Sequence, residues 1–176
     1  MVVNELERRE RLRALFEAHA DAVKAYALRR IGPSAADDVV SEVFVVACRR
    51  LEDVPVDALP WLLGCARRII ANQQRSARRR TALIRRLDAE PRLAPQWELA
   101  RSPLLRALQA LDERDREVLR LITWEGLDPA RAAAALECSR ATLAVRLHRA
   151  RRRLAAALER IEQTDSIATT STEAVR

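Results

Sequence analysis

The sequence is poor in aromatic residues and glycine, and it has no long apolar run. Phe, Trp and Tyr make up 3% of its 176 residues, and only three residues are glycine. A core with so few aromatic rings must be built from Leu, Val, Ile and Ala, which favours helices. No phosphate-cradling glycine loop is present, and no apolar run approaches the roughly 20 residues that span a membrane. Because the N-terminal segment is charged, unlike a signal peptide, we expect a cytoplasmic protein.

Cysteine and histidine are scarce and scattered. The cysteines, Cys48, Cys65 and Cys138, are far apart in the chain and form no Cys-x-x-Cys motif. This spacing argues against a zinc site or a disulfide framework. His19 and His148 are the only histidines, and no Ser/His/Asp set for nucleophilic catalysis accompanies them. We therefore expect no metal, no cofactor and no enzymatic activity.

Arginine is what the sequence has in excess. Lysine and arginine total 32 against 25 acids, a net charge of +7, and Lys24 is the only lysine. A basic balance favours a polyanionic partner, and guanidinium groups suit bidentate contacts with phosphate and guanine. A GC-rich genome would also enrich arginine and alanine, so composition alone does not establish such a partner.

Three helices are predicted in the first 80 residues from the spacing of their apolar side chains. The first covers residues 10–31 and is ended by Gly32 and Pro33. The second covers 34–51, and the third covers about 60–80. Between these two, residues 52–59 contain acids and a proline, and we predict a loop there.

The second half of the third helix is wholly basic. Asn72, Gln73 and Gln74 lie among its arginines and could contact base edges. A solvated helix end is the alternative, but a solvated helix usually mixes both signs of charge. The arginines without interspersed acids are Arg67, Arg68, Arg75, Arg78, Arg79 and Arg80.

A second helical unit is predicted after a weakly patterned segment. Prolines interrupt residues 81–102, which we predict to be a flexible linker whose residues 82–87 could extend the preceding helix. Two helices follow, over 103–111 and from Asp112 to Gly126, with Asp112 as the cap of the second. Beyond Leu158 the sequence is polar and rich in threonine, and we expect residues 159–176 to be disordered.

The capping residues and apolar spacing of residues 128–154 predict a helix-turn-helix. Asp128 and Pro129 suit the start of one helix, and Ser139 suits the cap of the next. The second helix has an apolar side and an arginine-rich side, with no acid from Ser139 to Leu158. Such a helix can enter a major groove, although a solvated basic face on a plain helical hairpin is the alternative. Its apolar side consists of Leu143, Leu147, Ala150, Leu154 and Leu158.

The predicted fold is therefore all-α. It has two small helical domains, residues 1–80 and 103–158, joined by the flexible linker 81–102, and the C-terminal domain contains the helix-turn-helix. The tail, 159–176, lies outside both domains.

Three sequence blocks in this order resemble the extracytoplasmic-function (ECF) sigma factors of bacterial RNA polymerase. The resemblance covers about residues 12–158. It implies a protein without chemistry of its own that directs core polymerase to specific promoters and promotes their melting. The blocks are AADDVVSEVFVVACRRL, LPWLLGCARRIIANQQRSARRR and LQALDERDREVLRLITWEGLDPARAAAALECSRATLAVRLHRARRRL.

The resemblance also implies three binding surfaces. The helix 37–51 would dock on the clamp of the largest polymerase subunit, through Asp38, Glu42, Phe44 and Arg49. The helix 61–80 would engage and melt the downstream promoter element, through Trp61, Arg67, Arg68, Asn72 and Arg75. The loop 52–59 would hold a flipped-out base. The helix 139–154 would read the upstream element, through Ser139, Arg140, Thr142, Arg146 and Arg149.

Some positions keep an alternative interpretation. Phe44 and Trp61 could both be core residues rather than contacts. Glu137 occupies a turn position where the family usually has glycine, and Cys48 stands where a tryptophan is common. These two departures leave the geometry of the turn and the packing at the end of the second helix open.

The implied partners are core RNA polymerase, double-stranded and melted promoter DNA, and an anti-sigma factor, with no membrane insertion. A freestanding two-domain repressor, whose N-terminal unit would dimerise or bind an effector, is the alternative function. The basic segment 67–80 counts against that alternative, because a ligand-binding or dimerisation domain would not need a second basic helix.

Overall fold

The computed structural model describes residues 5–84 and 102–173, and these are almost entirely helical. This confirms the predicted all-α class. The described part divides into two compact units, the first containing α1 to α3 and the second the greater part of α4 to α7. The helices are α1 (Glu5–Ile31), α2 (Pro33–Arg49), α3 (Ala58–Ile84), α4 (Pro103–Ala110), α5 (Glu113–Thr123), α6 (Pro129–Ala135) and α7 (Arg140–Glu173), with a 3-10 turn (Leu51–Asp53) after α2.

The first unit is a three-helix bundle in which each helix packs on the other two. Gly32 separates α1 from α2 with a φ of 77°, a conformation that costs glycine little, and Pro33 then takes the first position of α2. The core is aliphatic apart from the rings of Tyr26 and Phe44, as the composition predicts. Its largest fully buried side chains are Val23, Tyr26, Val39, Val43, Leu62 and Leu63.

The second unit packs α4 and α5 against α7. Leu108, Leu111, Leu119 and Ala150 form a buried cluster there. Asp112 caps α5 as predicted, because its Oδ1 accepts a hydrogen bond from the backbone N–H of Asp115 at 2.8 Å.

Arg116 of α5 closes the end of α4 in a way that the sequence does not indicate. Its guanidinium donates to the carbonyls of Leu108 at 3.1 Å, Gln109 at 2.7 Å and Leu111 at 2.7 Å. These carbonyls lie at the α4 C-terminus, where helical partners run out. One side chain therefore joins two helices of the unit.

The tail after Leu158, for which the sequence predicts disorder, is helical in the structure as far as Glu173. α7 continues through it to Glu173. No glycine or proline interrupts residues 140–173, and Arg106 of α4 binds both oxygens of Asp165, at 2.9 and 2.8 Å. This ion pair, in which the Nη1 of Arg106 contacts both carboxylate oxygens, joins α4 to α7 well beyond the helix-turn-helix.

The linker prediction is tested only at its start. α3 ends at Ile84, so it includes residues 81–84 and confirms that the helix extends beyond Arg80. Residues 85–101 and the last three of the chain lie outside the described residues. None of the described helices is both long and apolar enough to cross a membrane.

Candidate nucleic-acid interface

Asp128 starts the helix-turn-helix, as predicted. Its Oδ1 accepts hydrogen bonds from the backbone N–H groups of Ala130 at 2.7 Å and Arg131 at 2.9 Å. These bonds, with Arg131 the stronger influence, lower the pKa of Asp128. The ionised carboxylate therefore anchors the first turn of α6.

Glu137 forms the turn between α6 and α7 in a left-handed conformation. Its φ is 52°, and among the described residues it is the only non-glycine with a positive φ. The N–H of Cys138 binds the carbonyl of Ala133 at 3.0 Å, and that of Glu137 binds the carbonyl of Ala134 at 3.1 Å. This is the Schellman pattern, which usually places glycine at the left-handed position. The turn therefore keeps the expected geometry in spite of the glutamate, at a cost in backbone strain.

Ser139 caps α7, as predicted. Its Oγ accepts from the N–H of Thr142 at 3.1 Å and lies 2.9 Å from the hydroxyl of Thr142. The two hydroxyls predicted to contact bases are thus bonded to each other at the start of the helix. For Ser139 this geometry favours a positioning role over base contact.

The exposed side of α7 brings together three of the five predicted upstream contacts. Thr142, Arg146 and Arg149 are all exposed, and their spacing of four and three residues places them on one side of the helix. Leu143 and Ala150, which lie about 40–120° around the helix from these three side chains, are fully buried. Arg140 is also exposed, but nine residues separate it from Arg149, which puts it about half a turn away. Arg140 is therefore not part of the same stripe.

Arg153 lies on the same side of α7 as that stripe, but its side chain makes ion pairs with residues of its own unit. Its guanidinium binds the carboxylate of Asp115 and lies 3.4 Å from Asp112. Asp115 is almost fully buried, and its bond to Arg153 raises the pKa of the arginine. The pair fixes the rotation of α7 about its axis, and so helps to decide which side chains point outward.

In the first unit, α3 carries a second stripe. Trp61, Arg68, Asn72 and Arg75 are spaced by seven, four and three residues, which places all four on one side of the helix. Arg68, Asn72 and Arg75 are exposed, and Trp61 is half-buried. Arg67 lies about 100° around the helix from Arg68 and is half-buried. It is therefore the member of the predicted set that fits the stripe least.

Arg68 also contacts its own helix. Its Nη2 donates to the Sγ of Cys65 at 3.4 Å. Burial raises the pKa of the Cys65 thiol, which keeps the sulfur neutral.

The loop before α3 is braced by one arginine of α1 and one in the turn after α2. Arg11 donates to the carbonyl of Val54 at 3.0 Å, and Arg50 binds Asp53 at 2.8 Å. The Arg50 guanidinium also lies 5.9 Å from the ring centre of Trp61. Val54 is buried, whereas Val56 is completely exposed. A valine held outward at the tip of a fixed loop is a feature that the sequence prediction missed.

On α2, the exposed stripe and the residues predicted to contact polymerase differ at a single position. Asp38, Glu42 and Arg49 are exposed on one side, and Val45 lies between them. Phe44 is 8% exposed, and its ring packs on that of Phe16 with centroids 4.8 Å apart. Phe44 is therefore a core residue, which is the alternative interpretation of this position. The half-exposed Val45 takes its place on that side of the helix.

Glu42 also connects α2 to α3, because its Oε1 accepts a hydrogen bond from Gln73 at 3.1 Å. Cys48, at the position where a tryptophan is common, is exposed at the end of α2. Among the described residues, no group of three or more His, Cys, Asp or Glu is placed to hold a metal ion.

Two small helical units, each with an exposed arginine-bearing stripe and one with a helix-turn-helix, define a DNA-binding transcription protein. Family models agree on both units. Residues 15–80 match sigma-70 region 2, and residues 101–154 match sigma-70 region 4.

Relatives of known function extend over most of the chain. The ECF RNA polymerase sigma factor SigL of Mycobacterium tuberculosis is 32% identical over 159 residues, covering 85% of this chain and 90% of SigL. The RNA polymerase sigma factor NccH of Alcaligenes xylosoxydans xylosoxydans is 31% identical over 163 residues, covering 82% and 85%. The chain belongs to the ECF sigma factors, the RNA polymerase subunits that provide promoter-specific transcription initiation.

Two solved structures share the fold. The sigma factor RpoE of Bartonella quintana, solved with the anti-sigma factor NepR, superposes with a TM-score of 0.62 at 24% identity, covering 84% of this chain and 96% of that one. CnrH, solved with the cytosolic domain of CnrY, gives a TM-score of 0.55 at 27% identity, covering 84% and 87%. The first shows the likeness of fold alone.

Proposed function

We propose that the two exposed stripes divide promoter recognition between them. The α7 stripe reads the upstream element as duplex DNA, and the α3 stripe with its preceding loop contacts and melts the downstream element. The observation that carries this division is the clustering of exposed side chains on one side of each helix, Thr142, Arg146 and Arg149 on α7 and Arg68, Asn72 and Arg75 on α3.

On α7, the arrangement suits a major groove. Arg146 and Arg149 project from the first three turns of a helix whose N-terminus is fixed by the Ser139 cap. The N-terminal residues of a recognition helix are those that reach base edges. A guanidinium can donate to both O6 and N7 of guanine, and each such pair discriminates by about 1–3 kcal/mol.

On α3, the arrangement suits a separated strand. Arg68 and Arg75 supply phosphate contacts, Asn72 between them can contact a base edge, and Trp61 offers part of its ring for stacking. Extracting a base from the duplex costs a few kcal/mol. The braced loop, with Val56 at its tip, is preorganised beside the stripe and can offset part of that cost.

On α2, we assign the polymerase contact to Asp38, Glu42, Val45 and Arg49. An exposed aliphatic side chain surrounded by charges has the character of a small interface core with a polar rim. We assign Val45 to this set instead of Phe44 because the Phe44 side chain packs on Phe16 and is not available to a partner.

The remaining parts of the function follow from the same assignment. We propose that the chain has no catalytic activity of its own and works in the cytoplasm, where core polymerase and promoter DNA are. RpoE of B. quintana was solved with an anti-sigma factor, and we propose that a protein of that class binds this chain and covers its polymerase- and DNA-binding surfaces.

Run-off transcription with core RNA polymerase on a randomised promoter library tests this function. We expect the wild-type chain to select an upstream and a downstream element. Arg146→Ala should relax selection at one upstream position by about 1–3 kcal/mol. Arg114→Ala, an exposed arginine of the same unit outside the stripe, is the matched control and should leave the selected sequences unchanged.

A different outcome would favour the repressor. If the chain does not bind core polymerase but binds a palindromic operator as a dimer, the proposed function is wrong. An equal loss of binding on all sequences with Arg146→Ala would make that residue a phosphate contact instead of a base reader.

A further inference from the structure

One apolar side chain lies in the middle of the basic side of α7. Val145 is 50% exposed, and among the described side chains of α7 it is the only large apolar one that is exposed. Ala141 lies one turn before it, and Arg149 and Arg152 lie one and two turns after it, all exposed. Spacings of four and seven residues put these four side chains on the same side of the helix.

The fold of the unit does not account for a valine here. Leu143 and Ala150, which pack the core, are on the opposite side and fully buried. A β-branched residue is less favourable than alanine in a helix because its side chain loses rotamer freedom. Val145 therefore adds nothing to the core, and its apolar surface is available to a partner.

The surroundings of Val145 identify the chemistry of that partner. Arginines follow it along the helix, so the surface attracts a polyanion. In the major groove, duplex DNA exposes one apolar group, the 5-methyl group of thymine. We propose that Val145 contacts a thymine methyl in the upstream promoter element and selects thymine over cytosine there. This inference rests on the proposed placement of α7 in the major groove.

The position of that thymine is also constrained. Side chains one helical turn apart have Cβ atoms roughly 5–6 Å apart, whereas successive base pairs rise by about 3.4 Å. The thymine should therefore lie within about two base pairs of the base pair that Arg149 contacts. Recognition by α7 would then combine hydrogen bonds from arginine with one apolar contact.

Deoxyuridine, which lacks only the 5-methyl group of thymine, provides the test. A promoter selected by the wild-type holoenzyme is prepared with each upstream thymine replaced singly by deoxyuridine, and dissociation constants are measured at one fixed salt concentration. Burial of one methyl group predicts about a fourfold loss of affinity at a single position. With Val145→Ala, the same replacement should have no effect.

Two further variants make the result specific. Val145→Thr retains a methyl group at the same place and should retain part of the sensitivity to deoxyuridine. Leu104→Ala removes another exposed apolar side chain, 52% exposed and on α4 of the same unit, and should leave the fourfold effect intact.

Several results would overturn the inference. If Val145→Ala weakens binding to all upstream sequences equally, or remains as sensitive to deoxyuridine as the wild type, Val145 does not read a methyl group. If it changes only the binding of a protein partner, Val145 belongs to a protein interface. If both Val145→Ala and Arg146→Ala leave upstream binding unchanged, the placement of α7 in the groove is itself wrong.

Discussion

The exposed stripes of α3 and α7 have the same length but differ in what adjoins them. On α7, Thr142 to Arg149 spans seven residues, about 10 Å, directly after the capped N-terminus of the helix. On α3, Arg68 to Arg75 also spans seven residues, and the half-buried Trp61 lies two turns before Arg68 on the same side, next to an arginine-braced loop. A stripe at a fixed helix end suits a groove of duplex DNA. A stripe preceded by an aromatic ring and a preorganised loop suits a strand that has left the duplex.

The two regions also show that arginine has two uses in this chain. Arg146, Arg149 and Arg75 lie on the exposed stripes, whereas Arg116, Arg153 and Arg11 make hydrogen bonds that hold helices and loops together. Arg68 lies on a stripe and also makes a hydrogen bond to Cys65. Net charge therefore overstates the basic surface available to DNA. The orientation of both stripes depends on the arginines that do not belong to them.

The largest expected effect comes from removing the charges of the α3 stripe. Arg68→Ala combined with Arg75→Ala removes two charge-assisted contacts, each worth about 1.5 kcal/mol or more, so promoter opening should weaken by about 3 kcal/mol. Permanganate reactivity of thymines in the downstream element measures the opening. Binding of the holoenzyme to the duplex upstream element should hardly change. An equal loss of upstream binding would remove the distinction between the two stripes.

A smaller effect is expected from the internal arginine of the second unit. Arg116→Met removes the side-chain donor of three carbonyls at the end of α4, of which that of Leu108 keeps a backbone donor, the N–H of Leu111. It should destabilise that unit by about 2 kcal/mol. Amide hydrogen exchange should accelerate in α4 and α5 but not in α1 to α3. Arg114→Met, at an exposed neighbour, serves as the control. Unchanged exchange with Arg116→Met would show that α4 does not depend on this contact.

The smallest effect concerns the turn that orients α7. Glu137→Gly places the residue preferred for a left-handed conformation at that position and should stabilise the second unit by about 1 kcal/mol. Gly126→Ala, at a φ of 63°, is the reciprocal change and should destabilise it by a similar amount. Thermal unfolding of both variants measures the difference. If Glu137→Gly lowers stability, the glutamate side chain contributes more than the strain costs.

Features set by neighbouring residues could be predicted from the sequence. The caps at Asp112, Asp128 and Ser139 depend on a side chain and a backbone group within three residues, and all three predictions are confirmed. The same holds for the glycine and proline between α1 and α2. Local chemistry of this kind does not depend on how the helices pack.

Features set by packing could not be predicted. Arg153 lies in an arginine-rich stretch, and only the structure shows that it binds Asp115, which lies 38 residues away in the sequence. Phe44 and Val45 are adjacent, and a rotation of about 100° per residue decides which of them is buried. The ion pair that joins α4 to the last part of α7 links Arg106 and Asp165, which are 59 residues apart in the sequence.

A double-mutant cycle between protein and promoter tests the division of recognition most directly. Arg146→Ala and Asn72→Ala are each combined with a substitution in the upstream or the downstream element, and holoenzyme binding is measured for all combinations. We predict a coupling of about 1 kcal/mol or more for Arg146 with the upstream element and for Asn72 with the downstream element. The crossed pairs should be additive within about 0.5 kcal/mol. Coupling of both residues to the same element, or equal coupling in the crossed pairs, would contradict the account.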